Sequence, residues 1–198
     1  FGVPQKSKYH PEIDTGIHAL MCLERVIKLS DDIAVRYAAL VHDVGKAATD
    51  QSKWPSHSGH EALGIALQDQ IAKRLRIPNE HNQLAALVCE HHTKLHRIQQ
   101  LQPIALLNLL ESLDAFRRPE RLEKFLLVCE AVVPGRIGFE NQEYPQRDYL
   151  NAVLAATRDL NFATRLAEKG KGNAAEAVKN RRLQLVTDKV AELSTSND

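Results

Sequence analysis

Cysteine is sparse: Cys22, Cys89 and Cys129 are three in number and far apart. An odd count in apolar helical runs excludes a disulfide framework and leaves no pair spaced for zinc. It reads as buried thiols in a reducing, cytoplasmic compartment. Long apolar runs are missing too. None reaches the ~18 residues of a membrane span, and no signal-peptide pattern is visible. Neither sign of charge dominates: 26 Lys and Arg stand against 25 Asp and Glu, for a net charge of +1. With no basic block, a grip on nucleic acid by this chain alone has to be local. Period-two alternation of apolar and polar residues is absent, which argues against strands as the framework.

What remains is helix after helix. A chain of 198 residues, 43% hydrophobic and 26% charged, is enough for one substantial globular domain. Its start at Phe1 reads as a fragment, or one domain of a longer protein. Asp14 or Thr15 can cap a first helix with Ile17, Leu20, Met21 and Ile27 as its apolar stripe. Ser30 or Asp31 caps a second, with Ile33, Tyr37, Leu40, Val41 and Val44 inside and Gly45 as its stop. Residues 46–57 form a polar loop around Trp54-Pro55. Ser58 and Glu61 form a capping box for a third helix through Leu63, Leu67, Ile71 and Leu75. Pro78-Asn79 opens a fourth, ending near His92. Pro103 and Pro119 each sit at a helix start. Pro134-Gly135 ends the sixth helix, a seventh runs through Leu150, Val153, Leu154 and Leu160, and a charged helix follows the Gly170-Lys171-Gly172 break. The class is all-α. A core over 1–134 carries the chemistry, and 135–198 is a helical extension packed on it.

Chemistry gathers at helix ends. His18 lies in the first helix, His42 and Asp43 close the second, His57 and His60 flank the start of the third, His91 and His92 close the fourth, and Asp114 closes the fifth, before Arg117 and Arg118. Imidazole nitrogen and carboxylate oxygen suit divalent ions from Mg and Mn to Fe, Ni and Zn. His42 and Asp43 lie about 100° apart around a helix, so other helices must complete a site, with His18 and Asp114 as candidates. A bound ion would acidify water, Asp43 could take the proton, Lys46 could hold phosphate charge, and Arg117 or Arg118 could clamp phosphate oxygens. His60 and His92 are candidates for a second ion bridged by Asp43. Simpler readings stand beside these. His18 could be a satisfied core histidine, Asp114 a partner of Arg117, and His57 and His60 solvent-exposed. His91 and His92 cannot face the same way, so one of them is expected at the surface with His96.

The order His18, His42-Asp43, Asp114 resembles the HD superfamily of metal-dependent phosphohydrolases, and HDVGK (42–46) is similar to its HD-x-G-K variant. The stretches YHPEIDTGIHAL (9–20), WPSHSGHEA (54–62), LDAFRRPER (113–121) and GRIGFENQEYPQ (135–146) resemble the carboxy-terminal half of bacterial tRNA nucleotidyltransferases, the CCA-adding enzymes. The resemblance implies an HD-type helical bundle with additional carboxy-terminal helices, and His18, His42, Asp43 and Asp114 as metal residues with nickel or magnesium. It implies hydrolysis of 2′,3′-cyclic phosphates, 2′-nucleotides and phosphomonoesters at tRNA 3′ ends, beside an amino-terminal nucleotidyltransferase domain, and it admits a homodimer. The transferase signature has no counterpart in this chain, so it does not add CCA by itself. One departure is visible: Val132 and Pro134 stand where that family shows Asp and Arg. The rival expectations are a catalytically idle tRNA-binding or oligomerisation module and a free-standing HD nucleotidase.

Overall fold

The structure is a computed structural model and describes residues 1–133, 136–138, 141–158 and 174–195. Among them are eight α-helices and an isolated bridge between Pro4 and Asp14. The helices are α1 (Thr15–Leu29), α2 (Ile33–Val41), α3 (His60–Leu75), α4 (Asn79–His96), α5 (Pro103–Ser112), α6 (Pro119–Val132), α7 (Gln146–Thr157) and α8 (Ala174–Thr195). None is long and apolar enough to cross a membrane. Pro134-Gly135, where the sequence places the end of the core, and the 170–172 break lie outside the described residues.

The chain forms two compact units. The first comprises Phe1–His96 and Glu120–Tyr144; the second comprises Arg97–Pro119 and Pro145–Asp198. In the first, α2 packs on α1 and α4, and α3 packs on α4 and on a 3-10 turn at Val44–Ala48. Val26, Val35, Ala38, Val88, Leu95, Phe125 and Leu126 are fully buried there. Each large side chain so buried stabilises by about 1.5–3 kcal/mol. In the second unit, α8 packs on α5 and α7 around Leu106, Leu107, Leu110, Leu150, Val153 and Val186.

Helix starts follow local chemistry, with two corrections. Asp14 caps α1, its Oδ1 accepting from the Ile17 N–H at 2.9 Å; such a cap stabilises by about 1 kcal/mol. Asp32, not Ser30 or Asp31, caps α2, accepting from the Ala34 N–H at 2.8 Å. No capping box forms at Ser58. Gly59, with φ 83°, takes the cap position and α3 begins at His60. Pro103 and Pro119 open α5 and α6 as expected.

The apolar stripes of the first three helices are turned relative to the sequence expectation. On α1 the buried residues are Thr15, His18, Cys22 and Val26, while Ile17, Leu20 and Ile27 are about half exposed. On α2, Ala34, Val35, Ala38, Ala39 and Val41 are inside, and Ile33 and Leu40 are exposed. On α3 the inner face is His60, Gly64, Gln68 and Ala72, with Leu63 and Leu75 outside. Small residues let backbones approach closely, and that closeness brings the polar side chains together. A Cβ added to Gly45 would lie 2.0 Å from the His60 carbonyl oxygen, so only glycine fits there. Helix α2 ends at Val41, before Gly45, because the chain tightens into the 3-10 turn.

Candidate metal centre

The first unit buries a cluster of imidazoles around one carboxylate. His42 follows the last turn of α2, with Asp43 next to it; His60 opens α3, and His92 projects from α4. Nε2 of His42 lies 3.2 Å from Asp43 Oδ2. Nε2 of His60 and of His92 lie 3.3 and 3.4 Å from Asp43 Oδ1. The rings of His10, His18, His42, His92, His60 and His96 meet edge to face, with centroids 4.6–5.9 Å apart.

Backbone contacts decide which nitrogen faces the carboxylate. Nδ1 of His42 donates to the Ala39 carbonyl at 2.7 Å, Nδ1 of His60 to His57 at 3.0 Å, and Nδ1 of His92 to Val88 at 2.8 Å. A carbonyl only accepts, so each Nδ1 carries the proton and each Nε2 turns inward. In the neutral ring that Nε2 is a lone pair set against a carboxylate oxygen. His42 Nε2, His60 Nε2 and Asp43 Oδ1 are buried and have no hydrogen-bond partner. Acceptors facing one another in a desolvated site call for a positive charge between them.

The titration directions of Asp43 and His92 agree, whereas that of His60 favours a protonated ring beside the carboxylate. Burial alone would raise the Asp43 pKa, yet the Lys46 ammonium and the His42 ring hold it well below the usual carboxylate range. Burial lowers His92. His60 is raised, because Asp43 outweighs its desolvation. An ionised carboxylate ringed by Nε2 lone pairs, each ring fixed through its other nitrogen, suits a divalent ion.

Lys46, in the 3-10 turn, donates to Asp43 Oδ2 at 2.7 Å and to Gln5 Oε1. Its side chain is nearly buried, so its charge is committed to the centre. His18 lies beside His42 and donates from Nδ1 to Glu12 Oε1 at 2.8 Å; its Nε2 is 3.4 Å from Cys22 Sγ. The potential ligand groups among the described residues include His42, Asp43 and His92; His18, Cys22 and His42; and His10, Glu12 and His18.

Asp114 belongs to the second unit. It sits in a left-handed turn, φ 53°, where Arg117 forks its carboxylate from Nε and Nη2 at 2.7 and 2.9 Å and Arg118 lies 3.5 Å away. Arg117 and Arg118 are exposed.

Several residues depart from their expected places. His57 is buried, not exposed: it donates from Nε2 to the Pro4 carbonyl at 2.6 Å, and Trp54 Nε1 donates to Thr49 nearby. His91 and His92 are both buried on α4, which packs on α2 and on α3. His96 is not a plain surface residue; its Nδ1 lies 3.0 Å from the Tyr144 hydroxyl and burial holds it well below the ordinary range. Sequence reasoning gave no site role to His10, Glu12 or Cys22. Cys22 was legible in principle, lying one helical turn after His18 on the same face. Glu12 carried no local signal. The Val132 carbonyl lies 3.9 Å from Cys22 Sγ, which places that departing position beside His18.

Comparison with known proteins agrees with this geometry. The HD domain family matches residues 15–127. A Multifunctional CCA protein of Thioalkalivibrio sulfidiphilus is 48% identical over 193 residues, 97% of this chain and 47% of its own length. One from Hahella chejuensis is 44% identical over 187 residues, 94% of this chain and 44% of its own. One from Psychromonas ingrahamii is 51% identical over 150 residues, 76% of this chain and 37% of its own. The chain thus spans less than half the length of these relatives. No solved structure matches it. The chain belongs to the HD domain family of metal-dependent phosphohydrolases.

Proposed function

From that membership, we propose that this chain is the phosphohydrolase part of a CCA-adding tRNA nucleotidyltransferase, cleaving 2′,3′-cyclic phosphates, 2′-nucleotides and phosphomonoesters at tRNA 3′ ends in the cytoplasm. The observation that carries the reading is the Nε2 of each of three imidazoles set 3.2–3.4 Å from one ionised, buried carboxylate. His42, Asp43, His60 and His92 would hold a divalent ion, Ni²⁺ or Mg²⁺ first, with His18 alongside. Asp114 is proposed as a further ligand on the resemblance alone.

A bound divalent ion supplies Lewis acidity toward phosphoryl oxygens and acidifies water. Asp43 is ionised and accepts a proton from the attacking water. Water adds its oxygen to phosphorus, the bond to one ribose oxygen breaks, and that oxygen leaves with the proton that Asp43 took up. Lys46 balances the charge gathered on the phosphate; a role for Arg117 or Arg118 in gripping its outer oxygens is proposed from the sequence alone. Three histidines with Nδ1 tied to main-chain carbonyls keep the centre rigid, so little reorganisation accompanies reaction.

The purified chain is expected to hydrolyse 2′,3′-cyclic AMP with Ni²⁺ or Mg²⁺, to stop in chelator, and to lose activity in His42→Ala and Asp43→Ala. Hydrolysis that survives both substitutions defeats the reading. The second reading, an idle tRNA-binding or dimerising module, is favoured by Val132 beside the centre. It predicts salt-sensitive tRNA binding with no phosphate release under any metal.

A further inference from the structure

We propose that Cys22 ligates the metal of this centre as a thiolate, together with His18 and His42, so that the centre favours Zn²⁺, Co²⁺, Ni²⁺ or Cd²⁺ over Mg²⁺. The inference rests on the reading above that His42 holds a divalent ion.

Position comes first. Cys22 follows His18 by one turn on the inner face of α1, and its side chain is fully buried. Its Sγ is 3.4 Å from His18 Nε2. Ligand atoms of His18, Cys22 and His42 all lie within 4.8 Å of one another, and all three residues are buried.

Orientation comes second. The Glu12 carboxylate accepts from His18 Nδ1, which leaves Nε2 as the ring's lone pair, and Cys22 Sγ lies against the ring, 3.4 Å from Nε2 and 3.8 Å from Nδ1. Glu12 is buried with His18 and also accepts from His10 Nδ1 at 3.0 Å, so the support is firmly anchored. Carboxylate–imidazole pairs of this kind orient metal-ligating histidines. His42 spends its Nδ1 on Ala39, and its Nε2 is buried without a partner. His18 and His42 each therefore keep Nε2 as an available ligand atom, in the same buried group as the sulfur.

The other thiols provide a contrast. Cys89 Sγ donates to the Val41 carbonyl at 3.5 Å. Among the described residues, neither Cys89 nor Cys129 joins a potential ligand group, whereas Cys22 does. The oxygen facing Cys22, from Val132, is 3.9 Å away. Binding exchanges the thiol proton for the cation: one S–H bond breaks, one sulfur–metal bond forms, and the proton passes to solvent. A thiolate with two imidazoles is a soft-to-borderline set, which hard Mg²⁺ serves poorly.

The test is Co²⁺ titration of the purified chain, read by absorbance. Wild type should show visible d–d bands and a near-ultraviolet sulfur-to-cobalt band. Cys22→Ser should keep the d–d bands, lose the near-ultraviolet band, and bind Co²⁺ at least about tenfold more weakly. Visible bands without the ultraviolet band in wild type, or an ultraviolet band that persists in Cys22→Ser, overturn the thiolate alone. Absence of any cobalt spectrum overturns both the thiolate and the metal reading beneath it. Should Cys22→Ser fail to fold, the cadmium NMR resonance of Cd²⁺-loaded wild type decides: a sulfur-shifted signal supports the proposal, and a nitrogen–oxygen signal contradicts it.

Discussion

Replacing Gly45 by Ala places one methyl group where two backbones touch. Its Cβ would lie 2.0 Å from the His60 carbonyl oxygen, 2.4 Å from the Gly64 nitrogen and 2.7 Å from the Gly64 Cα. All three are backbone atoms at the start of α3, so no rotamer change relieves the clash. Ordinary contact begins near 3.4 Å, and the His60 carbonyl must therefore retreat by about 1.4 Å. Overpacking of this kind costs about 3 kcal/mol, a fall of roughly 6–12 °C in melting temperature for a chain of this size. The same shift carries His60 away from Asp43, now 3.3 Å from it, and metal affinity should drop by roughly 10–100-fold. Gly64→Ala is the control. Its Cβ would meet Cys89 Cβ and Sγ at 3.4 and 3.5 Å, which is ordinary contact. Alanine also gains about 1 kcal/mol over glycine in a helix interior. Thermal melts with and without Ni²⁺ measure both variants. A Gly45→Ala chain that melts with wild type, at unchanged Ni²⁺ affinity, would refute the close-approach argument.

Three further outcomes follow from the same geometry. Burial lowers His91 from 6.5 to about 4 and His10 to about 3, so the unfolded chain binds more protons there and stability falls as pH drops from 6.5 toward 4. His60, raised by Asp43, opposes this in part; His91→Gln should flatten the slope of urea midpoint against pH, and an unaltered slope would count against His91. Lys46→Met strips the ammonium from buried Asp43 and should destabilise the metal-free chain by about 3 kcal/mol, with Ni²⁺ restoring part of the loss; equal melting of variant and wild type without metal would contradict the pairing. In the second unit, the Arg182 guanidinium lies 3.7 Å from the Phe116 ring centroid, and Arg182→Ala should cost about 0.5–1 kcal/mol in a denaturation assay, against no change if the stacking is idle.

Among the described residues, most helix starts were legible because their signals are local: Asp14 before an apolar run, Pro103 and Pro119 at first helical positions. The inner faces of α1, α2 and α3 were not. Hydrophobic periodicity selects the largest aliphatics, and Ile17, Leu20, Leu63 and Leu75 obey the helical period while facing outward. What packs inside is small or polar, His18, Cys22, Ala38, Gly64 and Gln68, because a buried imidazole cluster requires close backbones and ligand atoms. Exposure of large aliphatic residues is common, so the size of an apolar residue is a one-way guide. His42 and Asp43 were visible through their adjacency and the HDVGK pentad. His60 and His92 were visible as helix-end histidines, but their convergence on Asp43 is a product of tertiary packing. Glu12 acts on His18 across a turn that no periodicity marks.

Calorimetric titration of the purified chain with Ni²⁺ tests the central claim most directly, comparing wild type with Asp43→Asn, His60→Ala and His92→Ala, each verified as folded by circular dichroism. The account predicts a saturable site in wild type, lost in Asp43→Asn and weakened at least about tenfold in each histidine variant. Equal Ni²⁺ binding by all four proteins would contradict it.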